Sequence, residues 1–195
     1  MTSIASRCQR VALRVALSAC ALPAQAAVDI NDQVERYAIK GATPAELRRE
    51  MNARGPQGVG GRRFDGYTRW YVSWRYRYSN TGSACAIAAV TTSVKITITL
   101  PLWSDESGAN SAPRRHWSRY LAALEMHEQG HRRHGVDAAH EIDSAIAVMP
   151  PAQTCDALGS QANALGKGIL SKYNQRDLDY DRDTRHGATQ GARFP

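Results

Sequence analysis

The chain has 195 residues, 43% of them hydrophobic, and a formal net charge of +7, which suits one domain with its own core. Arg48, Arg49, Arg54, Arg62, Arg63 and Arg69 are scattered and form no basic stripe on a recognisable module, so nucleic-acid binding is not expected. No segment is long and apolar enough to make a stable membrane span.

The first predicted element is an export signal. Arg7, Arg10 and Arg14 precede a short apolar stretch at residues 15–23, and Ala24-Gln25-Ala26 has the form of a cleavage site. Residues 1–26 are then a signal peptide and residues 27–195 a single mature domain of net charge +4, because the three arginines leave with the signal. The expected location is the periplasm or the exterior. Leu17-Ser18-Ala19-Cys20 offers an alternative, a lipid anchor on Cys20. Cleavage after Ala26 leaves Cys85 and Cys155, an even pair in an oxidising compartment, and a disulfide between them is predicted.

Residues 34–39 read as a short strand. Thr43-Pro44-Ala45-Glu46 has the form of a capping box with proline at the first helical position, which predicts a helix over residues 44–53 ended by Gly55-Pro56. The glycine-rich stretch 57–66 reads as an exposed loop. Residues 67–78 alternate: Trp70, Val72, Trp74, Tyr76 and Tyr78 share one face, and Arg69, Ser73, Arg75 and Arg77 the other. This is a half-buried strand. Residues 84–100 return as a second strand with Val94, Ile96 and Ile98 inward, so the two make an antiparallel hairpin that Pro101 ends. A long helix is predicted over residues 114–148, stopped by Pro150-Pro151, and another over 152–173. The last stretch, 174–195, lacks an apolar period and reads as irregular. Strand hairpin, long helix and C-terminal helix together predict an α+β domain.

Within the long helix stands His127-Glu128-Gln129-Gly130-His131, an H-E-x-x-H motif. Histidines at i and i+4 leave a helix on one face, one turn apart, where both imidazoles can reach one Zn²⁺ at about 2.0–2.1 Å. Glu128 then stands beside the metal as a general base for a water whose pKa the zinc lowers to about 7. Trp117, Tyr120, Leu121 and Leu124 precede the motif at helical spacing and support its helical setting.

A catalytic zinc usually has three protein ligands and an open position. His134 lies on the right face, but seven residues of helix rise about 10.5 Å, too far for one ion to bind both it and His127. Asp137 could serve if the helix broke at Gly135, against the apolar pattern that continues through Ala138, Ala139, Ile142 and Ile146. His186, beside Gly187, could serve from a C-terminal loop. The residues alone leave Asp137 and His186 both open.

Several pieces of the chain, spread over most of its mature length, resemble a bacterial family of predicted secreted zinc-dependent proteases, otherwise a domain of unknown function. They are Tyr37, the turn and helix from Thr43 to Leu47, Trp70 and Trp74, Cys85, Leu100-Pro101-Leu102-Trp103, Trp117 ahead of the H-E-x-x-H, Cys155, Tyr180-Asp181 with Thr184-Arg185-His186-Gly187, and Gln190-Gly191-Ala192. The resemblance implies a zincin-like fold with export, and it favours His127, His131 and His186 as the zinc ligands. Tyr180 is then a candidate to stabilise an oxyanion or orient substrate, and Asp181 or Asp183 to hydrogen-bond a ligand imidazole. The expected activity is hydrolysis of peptide bonds in a peptide, a protein or a peptidoglycan cross-link, with Glu128 as the base. Two rivals stand beside it: a cell-wall amidase, and a non-catalytic zinc module closed by Asp181 or Tyr180.

Overall fold

The computed structural model describes residues 28–80 and 82–195. The predicted signal peptide and the Cys20 alternative lie outside the described residues. Six long elements follow in order: β1 Asp29–Ile39, α1 Pro44–Arg54, β2 Tyr67–Asn80, β3 Cys85–Trp103, α2 Ser111–Ala147 and α3 Cys155–Thr184. The fold is α+β. The expected hairpin is there, with β2 antiparallel to β3, and β1 adds to the other side of β3 in parallel, giving the order β1-β3-β2.

The strands carry one inward face. Val94, Ile96, Ile98 and Leu100 of β3 are buried against Trp117, Tyr120, Leu124, Ala138, Ala139, Ile142 and Ile146 of α2. The aromatic row of β2 settles onto helical glycines. A Cβ on Gly135 would stand 2.7 Å from Trp70, and one on Gly166 would stand 2.5 Å from Trp74. These glycines therefore let the rings approach the helix backbones, and Gly135 does not break α2. The capping box of α1 forms as read, with Glu46 N–H donating to Thr43 Oγ1 at 3.3 Å and Glu46 Oε2 accepting from Thr43 N–H at 3.1 Å. A cap contributes about 1 kcal/mol, while burying Leu47 and Met51 contributes about 1.5–3 kcal/mol each, so packing fixes where α1 sits.

Three expectations are corrected. β1 starts five residues before the predicted strand at residue 34, because an edge strand exposed on both faces shows no apolar alternation. β3 does not end at Pro101. β2 pairing stops at Tyr67↔Thr99, so beyond it only β1 flanks β3, and a residue without an N–H is tolerated at such an edge. Most consequential, α3 does not stop at residue 173 but runs to Thr184, taking in eleven residues read as irregular. The side chains of this stretch that face α2 are the polar Asp177, Tyr180, Asp181 and Thr184 rather than an apolar stripe.

Cys85 and Cys155 form the predicted disulfide, 70 residues apart in sequence. Backbone hydrogen bonds between Cys85 and Ala152 run in both directions beside it, at 2.8 and 2.9 Å. The bridge ties the start of β3 to the start of α3. Among the described residues no helix is long and apolar enough to cross a membrane.

Candidate metal centre

α2 supplies the first half of the site. His127, Glu128 and His131 are all buried, at 3%, 3% and 8% exposure. Each histidine is aimed by a partner on its Nδ1. His127 Nδ1 lies 3.0 Å from Gln190 Oε1, and His131 Nδ1 lies 2.9 Å from Asp177 Oδ1. The orientation of the Gln190 amide follows from its other end, where Nε2 donates to Tyr180 Oη at 2.9 Å. With both Nδ1 atoms facing acceptors, each neutral ring carries its hydrogen there and turns the lone pair of Nε2 the other way.

α3 supplies the second half. Asp177, Tyr180, Asp181 and Thr184 recur at i, i+3, i+4 and i+7, a polar stripe on one helical face. Asp181 Oδ1 stands 3.2 Å from His127 Nε2 and 3.2 Å from His131 Nε2. Two imidazole lone pairs thus converge on a carboxylate oxygen, which is repulsive unless a proton or a cation lies among them. The three donor atoms lie within 4.8 Å of one another. Tetrahedral bonds of about 2.0–2.1 Å separate ligand atoms by about 3.3–3.4 Å, so the spacing and the chemistry of the donors fit a small divalent ion such as zinc.

Asp177 does more than aim His131. Its Oδ1 also accepts from His134 Nδ1 at 2.7 Å, and its Oδ2 accepts from Trp70 Nε1 at 2.7 Å. His134 therefore reaches the site through Asp177. Asp137, the rival third ligand, is exposed on an unbroken α2 and is not brought to the site.

The T-x-H-G ending acquires a physical reading. Arg185 and His186 both have positive φ, 51° and 52°, and Gly187 follows at 80°. Two consecutive non-glycine residues in the left-handed region cost about 1–2 kcal/mol each. The turn is held by His186 N–H on Asp181 O at 2.8 Å and by Gly187 N–H on Thr184 Oγ1 at 3.1 Å. It swings His186 over Asp181, with Nδ1 3.1 Å from Oδ1. A Cβ at position 187 would meet His127 Cγ at 2.9 Å, so only glycine lets this turn press against the His127 ring. His186, the expected third ligand, thus arrives at the site, but as a partner of Asp181 and outside the group of donors that lie mutually within 4.8 Å.

Tyr180 stands behind the histidines. Its ring stacks on His127 at 5.0 Å and 12°, and its hydroxyl donates to His127 O at 3.4 Å. A Cβ on Gly130 would lie 2.3 Å from that hydroxyl, which explains the glycine between the two histidines. Tyr180 is absent from the lining of the cleft in front of the site. Asp183 is exposed and pairs with Arg182 at 2.9 Å.

That cleft has a volume of about 530 Å³ and is floored by His127, Glu128, His131 and Asp181, with Phe64 and His186 at its wall. Glu128 Oε2 accepts from Thr68 Oγ1 at 2.7 Å, and Gly66 passes so close that a Cβ there would stand 2.6 Å from Oε1. Burial raises the Glu128 pKa, while the Thr68 hydrogen bond and the nearby histidines only partly offset it. The same loop is fixed from below. Asp65 pairs with Arg48 at 2.7 Å, accepts from Tyr120 Oη at 2.6 Å, and its carbonyl accepts from Tyr37 Oη at 2.8 Å.

The charges around the histidines are unequal. Burial pushes His131 down, but its hydrogen bonds to Asp177 and Asp181 and their charges outweigh it, and its pKa stands at about 10. Burial acts upward on Asp181, but when protons rather than a cation occupy the space between the Nε2 atoms and Oδ1, hydrogen bonds from His127 and His131 and the charges of His131 and His186 hold its carboxyl well below the usual range. Two carboxylates around one imidazole make a place that favours positive charge.

Sequence reasoning missed Asp177 and Gln190 as the residues that orient the two imidazoles, and gave Asp181 a supporting place. The signal was the i, i+3, i+4, i+7 spacing of polar side chains, which has the period of a helix. No curated protein and no solved structure matches the chain. A family model described as "Bacterial protein of unknown function (DUF922)" matches residues 34–187, a span from β1 to the glycine of the T-x-H-G turn, and the chain belongs to that bacterial family.

Proposed function

We propose that this chain is an exported zinc-dependent metallopeptidase. The observation that carries the reading is the convergence of His127 Nε2, His131 Nε2 and Asp181 Oδ1, at 3.2 Å, on the floor of a cleft that also holds the buried Glu128. His127, His131 and Asp181 would hold the metal. Zinc supplies Lewis acidity at such a site, polarising a carbonyl and acidifying water. Glu128 takes the proton of the attacking water and returns it to the leaving amine. Its raised pKa suits both transfers, since a stronger base removes the proton more readily. Gln190 and Asp177 keep the ligand rings in one tautomer. His186 faces the cleft beside Asp181 and can donate to the oxygen on which negative charge develops.

β2 is an edge strand whose first residues, Tyr67 and Thr68, line the cleft. An extended peptide can lie along that edge with main-chain hydrogen bonds. The substrate is a peptide, a protein or a peptidoglycan cross-link. Export is supported by the sequence pattern of residues 1–26 and by the Cys85–Cys155 disulfide.

A second reading draws on His186. If its imidazole replaced the open position as a fourth donor, the site would be closed and structural. Zinc content and turnover separate the two. The chain from residue 27, with its disulfide formed, should hold one zinc and cleave a casein or a cross-linked peptidoglycan peptide. His131→Ala and Asp181→Ala should lose zinc, and His186→Ala should keep it while losing turnover. Zinc lost with His186 but kept with Asp181→Ala would return His186 to the third place. A wild-type chain without zinc would end both readings.

A further inference from the structure

The two faces of the sheet have opposite character. α2 and α3 cover one face, where Trp70, Trp74 and Tyr76 of β2 lie against them. Among the described residues no element covers the other. On that face β2 presents Arg69, Tyr71, Ser73, Arg75 and Arg77 in alternation, all exposed. Lys95 of β3 stands directly opposite Tyr71, and Ser73 is hydrogen-bonded to Ser93 at 2.9 Å.

Neither β2 nor β3 contains an acidic residue. Among the described residues Arg69, Arg75, Arg77 and Lys95 form no ion pair, unlike Arg36, Arg48, Arg54, Arg132 and Lys172 elsewhere. The acids nearest on this face, Asp29 and Glu35, lie on β1, which flanks β3 on the side away from β2 and stands opposite Ser93 and Thr99 there, while Asp32 turns to the other face and pairs with Arg132. Strand rise is about 3.4 Å per residue, so the cations from Arg69 to Arg77 extend over about 27 Å. Tyr71, at 80% exposure, stands among them.

We propose that the outward face of β2 and β3 is a docking surface for an acidic polysaccharide. Charge complementarity requires an anionic partner, and the row along one strand suits an extended polymer better than a compact ion. Tyr71 offers a flat ring on which a sugar ring can stack. Ser73, Ser93, Thr91 and Thr97 add hydroxyls able to hydrogen-bond a glycan. An anionic membrane would favour apolar side chains that insert, and this face has none besides Tyr71. The surface lies across the sheet from the cleft, so it would hold the protein on an envelope polymer while the cleft stays open.

The test is binding of the full mature chain to polygalacturonate, with the fully methyl-esterified polymer as the uncharged control. Binding should occur to the acid form only and weaken as salt rises. Arg69→Gln/Arg75→Gln/Arg77→Gln should bind about tenfold more weakly, the combined strength of three exposed ion pairs. Tyr71→Ala should also weaken it. Arg115→Gln/Arg119→Gln/Arg133→Gln, which removes the same charge from exposed positions on α2, should bind as wild type. Circular dichroism and the melting midpoint confirm that each variant is folded. Equal losses in the two triple variants, binding to the ester as well as the acid, or preference for phosphatidylglycerol vesicles would each overturn the proposal.

Discussion

α2 and α3 contribute to one site in different ways. α2 brings the groups that would touch the metal and the substrate, two histidines and a glutamate within five residues. α3 brings Asp177 and Asp181, which face those histidines, and Tyr180, which packs behind them. The α2 half depends on identity and spacing along one turn, so it stands out in a sequence. The α3 half depends on a helix that has to arrive at the right place, and its residues mean little until it does.

The comparison breaks first at Glu128. In the proposed mechanism this side chain moves protons and binds no metal. Glu128→Gln keeps the shape and can still accept from Thr68. Turnover should fall about 10²–10⁴-fold while zinc content stays at the wild-type value. Turnover within a few-fold of wild type would remove Glu128 as the base and overturn the proposed mechanism.

The matching test on α3 is Asp177→Asn. The amide is the same size, but it weakens the hold on His131 Nδ1, on His134 and on Trp70. Loss of a ligand-aiming carboxylate costs about 10–100-fold in metal affinity, measured by competition with a chromophoric chelator. Asp181→Ala should cost more, because it removes a donor. If Asp177→Asn and Asp181→Ala cost the same, the division between aiming and binding on α3 fails.

Much of the fold was legible in the residues. The Thr43–Glu46 capping box, the alternation of β2 and the pair Cys85 and Cys155 each carry a local signal, and each led to the right element or bond. β1 was read short because both its faces are exposed. The end of α3 was hidden for a different reason. A helix is usually recognised by its apolar stripe, and here the buried stripe is polar because it serves the site. The same cause hid the roles of Asp177 and Gln190. His186 was placed near the site by the T-x-H-G resemblance, and the positive φ of Arg185 and His186 shows what that motif does to the chain.

The carboxylates of α3 also set a pH dependence in the metal-free chain. His131 has a folded pKa of about 10 against an ordinary value of 6.5. A raised pKa means that the native state binds the proton more tightly than the unfolded chain does. The resulting stability is complete below about pH 6.5 and is lost as pH rises toward about 10. Chelated protein should therefore show a falling melting midpoint across that window. Zinc-loaded protein should not, since a bound cation takes the place of the proton. A flat profile in the chelated protein would mean that Asp177 and Asp181 do not hold His131 charged.

The smallest effect expected is at Tyr180, and it tests how much of the α3 half is packing. Tyr180→Phe keeps the ring on His127 but removes the hydroxyl, which accepts from Gln190 and donates to His127 O. A lost intramolecular hydrogen bond costs about 0.5–1.5 kcal/mol, seen as a small fall in the denaturation midpoint. The rate should change only a few-fold, because Tyr180 does not line the cleft. A fall of about 10²-fold or more in turnover, with zinc retained, would give the hydroxyl the oxyanion role that the sequence suggested. It would also move part of the chemistry from α2 to α3.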